Sequence, residues 1–445
     1  MAQTKYIFIL LTFCATVSQG LWVKWLQNEG ILVVDIPLVL LYIFGRSKMK
    51  QAPYTIPALV LVIVFFLWSN IGLFFAPNKL YFRQEGIENI RALLIFLSII
   101  LFVNNKQDLQ YIFVGFAAGL TFQGLIAMHQ WLRGPVGLTF LGEHVLGWQA
   151  QGTFVHPSVF GMYSALLSIL TYRVAVFLRP KYHQFFVFAF FIGVVGLYAS
   201  FNRATWLAFA ISMSIMFVVD LFRGLLFKKR SRKLILIILV VALAGFIRYG
   251  NLIIERFSDS KESLMANRSS SRKSLALDAI RIIKAHPVLG VGLNNYREYV
   301  NPETAGTKIV HCTYLLVGAE LGLPGLALFL AMMAAFFRIG IRGIKSPDPF
   351  ISNISAALVT AMMAFAIAIL PSPDYRILYV KNHIWMIWGL TLVTAKLDYH
   401  MKKLRKKKNV VQKRKSLVGL PVKKTASPAT NYTPPLPNFG PGSRL

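Results

Sequence analysis

The sequence predicts an all-α, polytopic membrane protein with about twelve transmembrane helices and one large external loop that contains short helices. Three observations carry that prediction. Of the 445 residues, 56% are hydrophobic and the mean hydropathy is +0.57, more apolar surface than a soluble core of this size can hide. The apolar residues come in runs of about 17–25, the length that crosses hydrocarbon as a helix. The formal net charge of +31 is carried by short basic clusters between those runs, the pattern of cytoplasmic membrane loops.

Read in order, the spans fall near 5–26, 31–45, 54–76, 89–104, 108–132, 153–173, 185–200, 204–221, 234–249, 311–337, 349–370 and 377–397. The opening "MAQTKYIFILLTFCATVSQG" has the basic start and small residues of a signal peptide. Apolar Leu and Trp continue from Leu21, so an uncleaved first span is the preferred reading. If that span crosses outward, the even-numbered gaps lie in the cytoplasm. They read "GRSKMKQ" (Gly45 to Gln51), "NNKQ" (Asn104 to Gln107), "RPKYHQ" (Arg179 to Gln184), "FKKRSRK" (Phe227 to Lys233) and "RIGIRGIKS" (Arg338 to Ser346). All carry Lys or Arg, as the positive-inside rule requires.

The chain thus divides into nine spans over 1–250, a large external loop over 251–310, three spans over 311–399 and a basic cytoplasmic tail over 400–445. That tail holds 12 Lys and Arg and no Asp or Glu. Its block "KKLRKKKNVVQKRK" reads as a contact with anionic membrane lipids, with RNA binding as the competing reading of the same charges. The Pro-rich end, "TPPLPNFGPGSRL", has the composition of a disordered segment. The two cysteines, Cys14 and Cys312, form neither a disulfide framework nor a metal cage.

The external loop has its own helix signal, "SSSRKSLALDAIRIIKAHPVLGVG" (Ser269 to Gly292). Leu275, Ala276, Ala279, Ile280 and Ile283 form an apolar stripe at helical spacing, Pro287 ends it, and Ser271 is the expected N-cap. A folded external loop of this length is where a membrane protein tends to keep its chemistry.

Under this topology several polar groups face one external compartment. His311 opens the tenth span, Arg203 sits in the short turn after the seventh, His156 lies just inside the sixth, Arg91 begins the fourth and Arg272 begins the loop helix. Each is costly at membrane depth and so is a functional candidate. The bland alternatives are snorkelling for Arg91, a satisfied turn histidine for His156 and a solvated helix residue for Arg272. Arg203 and His311 are harder to dismiss. Glu320 lies nine residues after His311, about half a turn out of phase and roughly 13 Å along a helix, so it is not the natural partner of His311. Gly318 and Gly322 form a small-xxx-small pair suited to close helix packing.

Three segments in order resemble the O-antigen ligase and polysaccharide polymerase family of bacterial inner-membrane proteins. "SFNRATWLA" (Ser200 to Ala208) is similar to the family's Ser-x-Arg stretch, with Asn202 where a Ser is common. Ser269 to Tyr296 carries an Arg, a short helix, then His-Pro-x-x-Gly-x-Gly. "HCTYLLVGAELGLPG" (His311 to Gly325) is similar to His-x-x-x-Leu…Glu-x-Gly-x-x-Gly. A fourth stretch, "GTFVHPSVFGMY", resembles a segment of exopolysaccharide polymerases.

The resemblance implies a glycosyltransferase with its active site facing the periplasm. It would take an undecaprenyl-diphosphate-linked glycan as donor and lipid A core or a growing polysaccharide as acceptor. No cofactor, no metal and no nucleic acid are expected. In that chemistry a diphosphate leaving group needs fixed cations, for which Arg203 and Arg272 are the first candidates and Arg91 the third. The acceptor hydroxyl benefits from a base, the expected role of His311. His156, Ser271 and His286 are expected in support, Ser271 through the free backbone N–H groups of the helix start. Direct attack opposite the leaving group would invert the anomeric centre. Two alternatives stay open at this point. One is a protein O-oligosaccharyltransferase of the same family; the other is a twelve-span secondary transporter or lipid flippase.

Overall fold

The computed structural model describes residues 2–17, 32–46, 49–133, 149–154, 156–177, 183–225, 229–265, 268–300 and 309–417. The outer half of the first expected span, most of the "RPKYHQ" turn and the Pro-rich end lie outside the described residues, as does the side chain of Ser271. The described chain is helical, and no strand occurs among the described residues. The helices are α1 (Ala2–Val17), α2 (Asp35–Phe44), α3 (Ile56–Asn70), α4 (Lys79–Phe102), α5 (Lys106–Arg133), α6 (Pro157–Phe177), α7 (His183–Ala199), α8 (Arg203–Phe222), α9 (Lys229–Met265), α10 (Arg268–Ala285), α11 (Thr313–Ile344), α12 (Pro349–Ala368) and α13 (Leu378–Leu417).

Every apolar run read from the sequence overlaps one of these helices. Among the described residues, six helical stretches are long and apolar enough to cross a membrane: Pro53–Phe74, Lys106–Arg133, Pro157–Phe177, Arg203–Phe222, Thr313–Ile344 and Pro349–Ala368. The apolar helices α1, α2 and α7 are shorter.

α6 is the centre of the bundle, with every residue from Val159 to Val176 buried. Its Gly, Ala and Ser positions let neighbouring helices approach closely. The outermost helices instead present apolar faces outward, Ile56, Val60, Ile63 and Leu67 on α3 and Leu207, Ile215 and Val218 on α8. Patches of that size on a protein need a cover, which for this composition is lipid. α1 is built into the bundle: Thr12 and Thr16 rest on Gly115 and Gly119 of α5. The Gln123 side-chain amide donates to the Thr16 carbonyl (3.1 Å) and the Tyr163 hydroxyl to Thr16 Oγ1 (3.3 Å).

The helix ends separate into two groups. At one end the basic gaps meet. Asn104 donates to the Arg46 carbonyl (3.0 Å), Lys396 Nζ to the Ile100 carbonyl (2.7 Å) and Arg223 to Ser352 Oγ (2.7 Å), while Lys106 pairs with Asp348 (2.7 Å). At the opposite end lie the starts of α6, α8 and α11, beside which His156, Arg203 and His311 fall.

α9 runs unbroken from Lys229 to Met265, past the expected end of span nine. Three expectations are corrected by the helix bounds and contacts. α10 begins at Arg268, so Ser271 lies inside its first turn and is not the N-cap. Its buried face is centred on Leu275, Ala279 and Ile282, leaving Ile280 exposed. Gly322 does not serve helix packing; it breaks α11 (φ 71°, ψ 179°). Gly318, by contrast, does face another helix, at Ile283 of α10. At the other terminus α13 continues through Leu417, and Lys402 to Lys408 are exposed along it.

Candidate active site

The turn before α8 is short and tightly held. Phe201 adopts a left-handed φ of 48°, unusual for a bulky residue and sustained only where the surroundings over-determine it. Here Tyr198 and Trp206 stack (5.1 Å, 7°) beside Phe201, and Trp206 Nε1 donates to the Leu197 carbonyl (2.7 Å). Asn202 caps α8, its side-chain oxygen accepting from Thr205 N (3.2 Å). Asn is a strong N-cap, which explains the departure from Ser at this position. Arg203 is therefore the first residue of a capped helix, half-buried.

The two glycine-bearing motifs, one in the loop after α10 and one in α11, fit each other. The break in α11 at Gly322 frees the Ala319 carbonyl, and Pro324, which has no N–H, leaves the Glu320 carbonyl without a helical donor. The loop after α10 supplies donors to both: Val291 N donates to Ala319 (3.0 Å) and Gly292 N to Glu320 (2.9 Å). In return Leu323 N donates to the Pro287 carbonyl (2.8 Å). Gly290 (φ 67°) and Gly322 (φ 71°) allow this, since a Cβ at either would lie 2.4 Å from Glu320 or 2.1 Å from the Val288 carbonyl. Below the dock, Leu275, Ala279 and Ile282 of α10 join Leu316 and Ala319 of α11 in one apolar cluster. Tyr296 completes it by donating to the Leu275 carbonyl (2.8 Å). Burial, with Asp278 and Glu320 nearby, pushes its phenol well above the usual range, so it stays a donor. Gly290→Ala should cost about 1–3 kcal/mol through strain and clash, read as a lower thermal midpoint of the detergent-solubilised protein. An unchanged midpoint would contradict the dock.

His311 is exposed and lies two residues before α11, with the N-cap residue Cys312 between them. The helix start is anchored two residues on: Thr313 N donates to the Ile369 and Ser372 carbonyls (3.1 Å each) and Thr313 Oγ1 to Ser372 (2.8 Å). The same connection, 369–376, reaches α6. Asp374 Oδ1 lies 3.3 Å from Ser158 Oγ, which lies 2.8 Å from Nδ1 of His156. One turn into α6, Gly161 stands against Ser200 and Thr205, which flank Arg203. His311, His156 and the Arg203 turn thus share one end of the bundle.

Arg272 is exposed, one turn before the buried Leu275. His286, at the end of α10, packs edge-on against Tyr299 (5.3 Å, 75°). Arg91 is buried, and its fork holds Asp35 through Nε (2.7 Å) and Nη2 (3.1 Å), tying α2 to α4.

A cluster of charges beneath the dock escaped sequence reasoning. Arg376 pairs with Glu320 (3.1 Å) and Glu85 (3.8 Å) and donates to the Asn294 side chain. Lys381 binds Glu85 and, at 3.2 Å, Glu88. These groups join α4, α11, α13 and the loop after α10. Lys381 in an apolar span was the available signal; its partners, nearly three hundred residues earlier, were not readable.

Chemically, this end of the bundle offers the half-buried guanidinium of Arg203 and the exposed imidazole of His311 beside anchored helix starts, a set suited to holding an anion and accepting a proton. Residues 188–330 match the family model described as O-Antigen ligase. That interval opens within α7 and closes within α11, enclosing Arg203, Arg272, His311 and both halves of the dock. A search of curated proteins finds no match. The match covers 143 of the 445 residues and supports the O-antigen ligase and polymerase family, and with it a membrane glycosyltransferase in general.

Proposed function

We propose that the chain transfers a glycan from an undecaprenyl-diphosphate carrier to an acceptor hydroxyl at the periplasmic face of the bacterial inner membrane. Twelve crossings carry the site, and the basic end faces the cytoplasm. Arg203 and Arg272 hold the diphosphate as its charge grows on C1–O cleavage, with free N–H groups at the start of α10 assisting. Fixed guanidinium forks take the part that a metal plays elsewhere. Arg91, whose fork already holds Asp35, contributes less. His311 takes the acceptor proton as the hydroxyl attacks C1 from the side opposite the leaving group, inverting the anomeric centre.

The observation that carries this reading is the mutual dock of the two loop motifs, which fixes the helix bearing Arg272 to the helix opened by His311. The resemblance of "GTFVHPSVFGMY" to polymerases favours a growing carrier-linked polysaccharide as acceptor over lipid A core.

The test is a transfer reaction with purified carrier-linked glycan and each acceptor in turn. Extension of the carrier-linked chain is expected, and flux of glycan lipid without transfer would contradict the reading. Arg203→Ala and Arg272→Ala should each weaken donor affinity by about 10–100-fold, the worth of a charge-assisted hydrogen bond. Donor affinity unchanged in both would remove their role.

A further inference from the structure

We infer that the connection 369–376, between α12 and α13, is a strap that positions His311, with Thr313 and Arg376 as its points of hold; this rests on the base reading of His311 above. The break at Gly322 leaves Thr313–Leu321 as a separate piece of α11, about two and a half turns long. His311 lies just before that piece, so the place of its ring follows the place of the piece. A helix this short is not stable by itself, and its neighbours must fix it.

One face of the piece is covered by α10, where Ile283 meets Gly318 and Ile282 joins Leu316 in the apolar cluster. Apolar contact is non-directional, so it does not by itself set the register along the helix axis. Directional bonds at the two ends do. At the first end Thr313 N donates to the Ile369 and Ser372 carbonyls (3.1 Å each) and Thr313 Oγ1 to the Ser372 carbonyl (2.8 Å). At the second end Arg376 pairs with Glu320 (3.1 Å), and Trp68 Nε1 of α3 donates to the Leu321 carbonyl (2.9 Å). One strap therefore grips both ends of the piece.

The strap is itself stiff. Pro371 and Pro373 each fix a backbone angle. Arg376 N donates to the Pro373 carbonyl (3.1 Å) and Ile377 N to the Asp374 carbonyl (3.0 Å), closing a 3₁₀ turn over Asp374–Arg376. Buried Tyr375 packs against Phe329 of α11, beyond the break, and Phe365 of α12 (5.2 and 6.1 Å). Arg376 also couples the strap to the dock. Its planar fork meets Glu320 through Nη1 and Asn294, in the docking loop, through Nη2, while Nε faces Glu85 (3.8 Å). A point-charge ammonium cannot reproduce that three-way geometry. The imidazole must lie within hydrogen-bond reach of the acceptor hydroxyl, and a misplacement of about 1 Å costs on the order of 10²-fold in rate.

The experiment is steady-state transfer by the purified full chain, with carrier-linked glycan as donor and the acceptor it extends. Arg376→Lys keeps the cation and loses the fork; kcat should fall by about 10–100-fold while the donor KM stays within about twofold. Thr313→Val deletes the Oγ1 bond and keeps both bonds from N, so kcat should fall by about 3–10-fold, and Thr313→Ser should restore it. Both losses run through His311. In a His311→Ala background each substitution should therefore change the residual rate by less than about twofold. Equal losses with and without His311 mark a structural role and overturn the strap. So does a raised donor KM in place of the kcat fall, or an unchanged kcat in both variants. Where His311→Ala leaves no rate to measure, the KM-against-kcat split and the recovery in Thr313→Ser decide. Where Arg376→Lys does not fold, Thr313→Val and Thr313→Ser carry the test. Full transfer in His311→Ala overturns the base reading, and the strap with it; normal loss in His311→Ala with no kcat effect in the strap variants overturns the strap alone.

Discussion

Replacing His311 by Ala should lower glycan transfer by about 10²–10⁴-fold, the usual worth of a general base, while donor affinity stays within about twofold and stability within about 0.5 kcal/mol. The separation of these effects follows from where the residue sits. His311 is exposed, so truncating its ring opens no cavity, and α11 begins from the Thr313 anchor on Ile369 and Ser372. Under the proposed mechanism, what is lost is the acceptor for the hydroxyl proton. The check is single-turnover transfer alongside donor titration and a thermal melt of the same preparation. Retained activity would refute the base assignment. A large drop in the melting midpoint would assign His311 to structure instead.

Arg376→Ala should be the most destabilising single change in this part of the protein, by about 3–5 kcal/mol, because it strips a buried cation from two buried carboxylates. Arg376 holds Glu320 at 3.1 Å and Glu85 at 3.8 Å and also donates to Asn294. Lys381 still serves Glu85 in the variant, so Glu320 bears most of the penalty. Replacing Glu320 by Gln in the Arg376→Ala background should therefore recover part of the loss. The comparison is Arg281→Ala: that side chain is 60% exposed beside the largely buried Asp278, and removing it should cost less than Arg376→Ala. Rates of thermal inactivation in detergent measure both, since large membrane proteins unfold irreversibly. Equal half-lives for Arg376→Ala and Arg281→Ala would contradict the hub.

How much of this was legible beforehand differs from feature to feature. Helix positions were readable because apolar runs report burial in lipid or core directly. α9 and α13 were cut short because their continuations, "NLIIERFSDSKESLM" and the Lys-rich stretch after His400, are polar enough to read as loop or tail. Helix propensity alone does not distinguish those outcomes. Gly322 is ambiguous in the sequence for a related reason. Glycine at i and i+4 fits close packing, yet a glycine is also where a helix can break, and only the partner loop with Gly290 decides between them.

The candidate residues on short motifs were visible because costly groups at apolar run ends stand out. The hub was not. Glu85 pairs with Lys381 and Arg376 from the far end of the chain, and pairing across such a separation has no local signature. Asp374 was hidden likewise: nothing in "PSPDYR" points to Ser158.

The central claim is that the donor's diphosphate meets the protein at the end of the bundle carrying Arg203, Arg272 and His311. A polyprenyl-diphosphate donor with a photoreactive group on its first isoprene unit tests this directly, with the labelled peptides identified by mass spectrometry. Labelling within 198–208, 268–285 or 309–316 is the expected result. Labelling confined to the opposite end, at 45–51, 104–107 or 338–348, would contradict the account.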